Sequence, residues 1–448
     1  MNNFQILKNL QRSADISELN SMQKSVIDSC NNSLNDHIIL SPTGSGKTIA
    51  FLFPALQLID SNDCSVQAIV IAPSRELVIQ IDNVARIMAA DIKITACYGG
   101  HNVFDEKLSL SVTPQLIIAT PGRILDHLNR SHIDISTCKL LILDEFDKSL
   151  ELGFHDEMRK IIAHTKKSTR KILTSATRLK DIPDFTNLNN PLTLDFLIAN
   201  KELKHRTSII RINSPEKDKL NTLLLLLRHT IGNKRTIVFV NYRDAAMRTY
   251  RFLIEQNLPA GMYNGELDQI EREKAVEMFN NGSFTTLVST DLGARGLDIE
   301  NVESIIHYHM PITKDTFTHR NGRTARINNT GSVYVIAAPG ENIPEYIHFD
   351  STETIDTSSE KPLSPSMATL YFNAGKKEKL SKGDILGFLI NKGGIEASDI
   401  GKINVHDHYS LAAISADKFT DTLSRISREK IKNKRILISK ATQRLPMG

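Results

Sequence analysis

The 448-residue chain has only four cysteines, Cys30, Cys64, Cys97 and Cys138, with no CxxC pair and no zinc-site spacing among them. That pattern points to reduced thiols in a cytoplasmic protein rather than to a disulfide scaffold or a zinc finger. Long apolar runs are also missing. The longest candidate, Leu223 to Leu227, falls far short of the ~20 residues that span a bilayer, so no membrane partner is expected. The opening "MNNFQILKNLQRSAD" lacks the basic start, apolar core and small-residue cleavage site of a secretory signal. No repeat of solenoid period is present either. A chain this long exceeds one hydrophobic core, and two to four domains are expected.

The small net charge of +4 conceals an asymmetry. Residues 367–448 carry 15 Lys and Arg against 8 Asp and Glu, a net of +7, which leaves −3 for the rest. A basic tail on a near-neutral body suits an anionic partner, although a solvated basic surface would give the same count.

Short Ile/Val/Leu-rich runs punctuate the first half: "IIL" before residue 41, "QAIVIA" 67–72, "QLIIAT" 115–120, "LLILD" 140–144 and "KILTS" 171–175. Helix-compatible segments separate them, the rhythm of a doubly wound parallel sheet. The rhythm restarts with "RTIVFV" 235–240, "TTLVST" 285–290, "SIIHYH" 304–309 and "GSVYVIA" 331–337, so two α/β domains are expected, with a boundary near 195–210. After Asp350, "STETIDTSSEKPLSPS" reads as a linker or exposed loop. The last 80 residues follow a βαββαβ order, shared by RNA-recognition sheets and many unrelated ferredoxin-like domains.

Two motifs carry chemistry. "SPTGSGKT", 41–48, follows a strand and precedes an apolar helix. Thr43, Gly44, Ser45 and Gly46 would cradle phosphates at a helix start, with Lys47 adding charge and Thr48 a hydroxyl for Mg²⁺. The usual first glycine of such a loop is Ser41 here, and a plain glycine turn is the bland alternative. "DEFD", 144–147, crowds three carboxylates at a strand end. Parallel strands share one C-terminal edge, so Asp144 can meet the phosphate loop there and hold Mg²⁺, with Glu145 placed to orient or deprotonate water. A helix N-cap is the competing explanation.

Eleven segments in order over about residues 4–340 resemble the DEAD-box RNA helicases. They are Gln23 of "LNSMQ", "SPTGSGKT", "PSRELVIQ", "GG" 99–100, "TPGR" 120–123, "DEFD", "SAT" 175–177, "IVFVNYR", "QIER", "STDLGARGLDI" 289–299 and "HRNGRTAR" 319–326. The tail, "YFNAGKKEKLSKGDILG…IGKINVHDHYS", resembles the DbpA-type RNA-binding domain, whose family docks on a hairpin of large-subunit ribosomal RNA.

The resemblance implies two RecA-like parallel-sheet domains plus an α+β, RRM-like tail. Residues 1–200 would be the ATP-binding domain, 201–348 the second RecA-like domain, 349–366 a linker and 367–448 the RNA-binding domain. It implies ATP and Mg²⁺ as cofactors and RNA, in particular large-subunit ribosomal RNA during ribosome assembly, as partner of a monomer. Gln23 would read adenine and Asp298 the ribose. Arg323 and Arg326 would act as arginine fingers, unless with Arg320 they form a plain basic patch. Arg75, Gly100, Thr120, Arg123 and Thr290 would contact the RNA backbone, joined by Lys376 and Lys377. Tyr371 and Tyr409 could stack on bases if they face outward, and Phe372 is expected in the core. Two departures stand out. Leu19-Asn20 replaces the usual Pro-Thr before the glutamine. Phe146 occupies a position where a small residue is usual, so neighbours must accommodate it or the site is overpacked. An ATP-gated RNA clamp with little turnover and a DNA-directed helicase are the alternatives; steady-state ATPase without nucleic acid, with RNA and with DNA separates them.

Overall fold

The computed structural model describes residues 3–14, 16, 18–42, 44–100, 103–178, 181–197, 207–294, 299, 302–324 and 331–444. The chain divides near residue 205 into two compact units.

In the first unit, strands β1 (His37–Leu40), β2 (Ala68–Ile71), β3 (Ile94–Cys97), β4 (Leu116–Ala119), β5 (Leu140–Leu143), β6 (Arg170–Ser175) and β7 (Leu192–Asp195) form one sheet. Their order is β3-β4-β2-β5-β6-β1-β7, parallel throughout. Central strands such as "AIVI", "LIIA" and "LLIL" are buried along their whole length, as a sheet covered on both faces requires. The helices supply the cover. Arg75–Met88 turns Leu77, Val78, Ile81, Ala85 and Met88 inward and is capped by Ser74, which accepts from the Leu77 N–H.

Phe146 is fully buried in the apolar cluster that also holds Leu125, Leu143, Met158 and Leu173. The preceding residue causes this. Glu145 adopts φ 43°, ψ 53° where β5 ends and the helix Phe146–Glu151 begins. That left-handed turn lets Asp144 and Phe146 take separate environments, one at the sheet edge and one in the core. Of the two outcomes open for this residue, accommodation by neighbours is the one seen: the ring sits in the apolar cluster beside the acidic turn.

In the second unit, β8 (Thr207–Asn213), β9 (Thr236–Phe239), β10 (Ala260–Tyr263), β11 (Thr286–Ser289), β12 (Ser304–His307), β13 (Gly331–Ala337) and β14 (Ser351–Glu353) form a sheet. Its order is β10-β11-β9-β12-β13-β8-β14, again parallel. Strand β14 lies within the stretch read as a linker, and Ile355 and Leu363 there pack on the second core.

The tail adds β15 (Met367–Phe372), β16 (Ile400–Val405), β17 (Ser410–Ser415), the hairpin β18 (Lys430–Ile431) and β19 (Lys434–Arg435), and β20 (Ile438–Lys440). The order β16-β17-β15-β20 is antiparallel. Leu370, Phe372, Ala412 and Ile414 face the tail's own core. Thr369 pairs with Ala413 and Tyr371 with Leu411, on the opposite face. That face is covered by the second core. Asn281 Nδ2 donates to Thr369 Oγ1 at 2.8 Å, and the Lys274 ammonium lies 5.6 Å from the Tyr371 ring centroid. Tyr409 stacks on Tyr371, is 6% exposed, and donates its hydroxyl to Glu273 at 2.9 Å. His406 Nε2 lies 2.8 Å from Glu277 Oε1, and the Gln443 amide bonds both backbone groups of Met262 on the edge strand β10. The base-stacking face expected of Tyr371 and Tyr409 is therefore an intramolecular docking face. Phe372, as expected, is core.

Two measurable consequences follow from this packing. Phe146→Ala should lose about 3–5 kcal/mol, the usual cost of emptying a buried ring position, in urea unfolding followed by a probe in the first unit; a loss below about 1 kcal/mol would mean the ring is not packed. The docked tail should also respond to pH. Burial alone would lower the His406 pKa, but Glu277 and Glu273 outweigh it and raise the imidazole above its ordinary value. A raised folded-state pKa contributes stability that is fully present below about pH 6.5 and is lost as pH rises through the docked value. Dyes on the tail and on the second core should therefore report weaker docking across that window in the wild type and a flat response in His406→Gln. An unchanged pH response in the variant would assign the effect elsewhere.

Candidate nucleotide and RNA site

The strand order splits one sheet edge in two. Segments after β5, β6 and β1, which are neighbours, carry DEFD, SAT and the phosphate loop. Segments after β2, β3 and β4, neighbours on the other side, carry Arg75, Gly100, Thr120 and Arg123.

At the phosphate loop, Gly44 and Gly46 take φ 78° and 87°, and the helix Lys47–Leu58 starts immediately after. Positive φ favours glycine here, and Gly46 has a second reason. An added Cβ would sit 2.4 Å from Gln23 Nε2. Lys47 Nζ donates to the carbonyls of Ser41 (2.5 Å) and Pro42 (2.8 Å), and Ser41 Oγ donates to Ser45 Oγ at 2.7 Å. Ser41, the departure from the usual glycine, thus braces the loop from within. Thr48 is half-buried in the first helical turn.

Gln23 forms a capping box with Asn20 at the start of the helix Ser21–Asn32. Its Oε1 accepts from the Asn20 N–H at 2.9 Å and its Nε2 donates to the Gly46 carbonyl at 3.1 Å. Asn20 Nδ2 also donates to the Ser45 carbonyl. The amide therefore braces the phosphate loop, and an adenine edge would have to compete for these bonds. Asn20, which replaces the usual threonine, supplies the same cap with one bond more.

Asp144 is buried. Its N–H donates to Ile71 O at 2.8 Å and its Oδ1 accepts from Thr174 Oγ1. Burial pushes this carboxyl up, opposed by the Thr174 hydrogen bond and by the positive charge of Lys47. Asp147 Oδ2 accepts from Thr177 Oγ1 at 2.8 Å, and Thr177 N donates to Ser175 Oγ. The SAT segment thus ties the acidic turn to the strand between it and the phosphate loop. By donor chemistry, a carboxylate and a hydroxyl offer the hard oxygens that suit Mg²⁺, and the Lys47 ammonium offers a charge that suits phosphate.

On the other half of the edge, Arg75 lies over the paired glycines. A Cβ added at Gly100, whose φ is 101°, would come within 2.6 Å of Arg75 Nη1. Thr120 occupies the N-cap position of the helix Pro121–Asn129 without a side-chain cap bond. Arg123 Nε donates to Glu106 Oε2 at 2.6 Å, and His127 Nε2 lies 2.8 Å from the same oxygen. Burial pushes Glu106 up, but its bonds to His127 and Arg123 outweigh this and hold it below the usual carboxylate range. Sequence reasoning missed Glu106 and His127; the helical spacing of Arg123 and His127 was the available signal.

In the second unit, Thr290 follows β11, with its N–H on Tyr263 O. Arg320 is wholly buried and donates to Asp291 (2.6 Å), Asn241 (2.8 Å) and the His309 carbonyl. It pins its own unit together and does not belong to a basic surface patch. Arg320 lies in the last turn of the helix Lys314–Asn321, and Arg323 is buried in the turn just after it. Thr43, Asp298 and Arg326 lie outside the described residues.

Lys376 and Lys377 are exposed on the turn after β15. The β18–β19 hairpin lies beside that turn, because Lys432 Nζ donates to Lys379 O and pairs with Asp384 at 2.7 Å. Lys430, Lys434 and Arg435 extend the basic face, an addition that the sequence left unplaced.

Sequence profiles of three families match the chain: DEAD/DEAH box helicase over residues 20–185, helicase conserved C-terminal domain over 218–328 and DbpA RNA binding domain over 369–440. It is 32% identical to the ATP-dependent RNA helicase DbpA of Escherichia coli, over 88% of this chain and 89% of that protein. It is 29% identical to DbpA of Bacillus subtilis, over 98% and 99%. The structure of S. cerevisiae Dbp5 bound to RNA and ADP BeF3 matches with a TM-score of 0.68 at 25% identity, covering 79% of this chain and 94% of that one. With the phosphate loop, the acidic turn and the basic tail in this arrangement, the chain belongs to the DEAD-box ATP-dependent RNA helicases of DbpA type.

Proposed function

We propose that this RNA-dependent ATPase remodels structured RNA of the large ribosomal subunit during ribosome assembly, acting as a cytoplasmic monomer. The observation that carries the reading is the basic face of the tail. With the sheet face spent on docking, the exposed lysines of the turn after β15 and of the β18–β19 hairpin are what the tail offers an RNA. The organisation proposed is an ATP-binding domain (1–200), a second RecA-like domain (201–348), a short connection (349–366) and the tail (367–448).

Lys47 would neutralise the β- and γ-phosphates over the backbone of residues 43–46, with Gln23 bracing the loop. Thr48 and Asp144 would hold Mg²⁺, which when bound supplies charge neutralisation at the phosphates. Glu145 would orient the attacking water and take its proton. Asp298 would meet the ribose, while Arg323 and Arg326 would stabilise the developing charge. Arg75, Gly100, Thr120, Arg123 and Thr290 would hold the RNA backbone of one strand, and Lys376 and Lys377 its flanking structure. ATP and RNA bound preferentially by one state reinforce each other. Phe146 lies in the core beside the acidic turn, which supports the reading with turnover over that of a clamp.

Lys47→Ala should weaken ATP binding roughly 10–100-fold, the loss of charge-assisted bonds. Glu145→Gln should bind ATP normally and lower turnover by about 10²-fold or more, the usual contribution of a general base. Equal ATP crosslinking by both variants, or normal turnover by the second, would refute these roles.

Charge reversal at Lys376, Lys377 and Lys432 should raise the half-saturating concentration of a large-subunit ribosomal RNA fragment in the ATPase assay. Maximal turnover on arbitrary RNA should stay unchanged, because phosphate contacts position the RNA without entering the chemistry. The comparison is made at one fixed salt concentration. A wild-type protein with equal half-saturation by ribosomal and arbitrary RNA would overturn the ribosomal assignment.

A further inference from the structure

We infer that Thr174 is a positioning residue for the hydrolytic site, holding Asp144 and the backbone of Glu145 through one hydroxyl. The inference rests on the roles proposed above for Asp144 and Glu145. Strands β5 and β6 run parallel with Leu143 opposite Leu173, so the next step along each strand sets Asp144 beside Thr174. Thr174 is completely buried. Its Oγ1–H donates to Asp144 Oδ1, and the same oxygen accepts the Glu145 N–H at 3.2 Å. A hydroxyl has one donor and two acceptor positions, so both bonds form together.

Each bond answers a need of the turn. Asp144 is a buried carboxylate with a side-chain donor at one oxygen, and Glu145 is a non-glycine residue at φ 43° whose backbone needs a fixed partner. Ile172, two positions back on the same face of β6, is a fully buried hydrophobic, a face that would suit an apolar β-branched residue equally well. Threonine in place of valine is thus explained by the hydroxyl. Thr177 performs a separate task, because its hydroxyl goes to Asp147.

Thr174→Val keeps the shape and removes both bonds; Thr174→Ser keeps the hydroxyl. The first measurement is equilibrium binding of a fluorescent ADP analogue to full-length protein, in Mg²⁺ and in EDTA. In the wild type, affinity should be higher with Mg²⁺. In Thr174→Val that gain should shrink about tenfold, the worth of a hydrogen bond to a charged group, with affinity in EDTA unchanged. Thr174→Ser should retain the gain. RNA-stimulated kcat should fall in Thr174→Val with little change in KM for RNA, and serine should restore it. Thr174→Ala, which cannot overpack the strand, replaces valine if that variant melts early. A wild type whose affinity ignores Mg²⁺ would refute the role given to Asp144. A wild type that responds, beside valine and alanine variants that respond equally, would overturn the inference about Thr174 alone.

Discussion

A carboxyl group buried at the end of an apolar strand is the constraint around which the first unit is organised. Asp144 follows four wholly buried residues and is itself almost inaccessible, and an ion in that position is tolerated only with partners. The partners come from the two strands beside β5. Strand β2 offers the Ile71 carbonyl to the Asp144 N–H, and β6 offers the Thr174 hydroxyl to its side chain. On its other side β6 meets β1, where the Ser41 N–H donates to Ser175 O at 3.0 Å. The strand between the acidic turn and the phosphate loop thus bonds to both. Lys47 completes the balance of charge from the far side.

The same edge continues toward the RNA half without a break. Ile71, which takes the Asp144 N–H, ends the strand that leads through Ser74 into Arg75. Arg75 rests on the paired glycines after β3, and Thr120 after β4 donates its N–H to Cys97 O at 3.0 Å. The residues proposed for the nucleotide and those proposed for RNA are therefore separated by one pair of hydrogen-bonded strands. In the roles proposed above, either ligand would act on the ends of the same hydrogen-bonded strands.

Much of this was legible in the sequence, and for identifiable reasons. Strands such as "LIIA" and "LLIL" declare themselves because a sheet covered on both faces needs continuous apolar runs. The phosphate loop is legible because Gly44 and Gly46 are required by backbone geometry. What could not be read were directions. Phe146 follows two carboxylates, and no periodicity says that a left-handed Glu145 sends it into the core. Gln23 has a donor and an acceptor, and composition cannot say which partners they take. Tyr409 and Tyr371 illustrate the limit best. Alternation separates the two faces of the tail sheet, but it does not tell whether the outer face meets solvent, RNA or the second core. Glu106 was invisible for a related reason: a carboxylate shared by Arg123 and His127 of one helix exists only once a second, separate helix has folded against it.

The tail resolves a geometric conflict in a specific way. A four-stranded sheet with helices on one face has one other face to spend, and here Thr369, Tyr371, Leu411 and Ala413 give it to the second core. The turn after β15 and the β18–β19 hairpin carry exposed lysines. Lysines at phosphates supply affinity that falls with salt and carries little sequence information. For the RNA role proposed above, selectivity would have to come instead from the shape those lysines present, and a shape is useful only if held. Lys432 is held, bonded to the Lys379 carbonyl and to Asp384, and Gly375 is buried where any side chain would strike the His406 carbonyl. Docking then does more than a flexible tether could. It fixes the basic face relative to the second core, which in the role proposed above would present a bound RNA at one distance from Thr290 rather than at a distribution of distances.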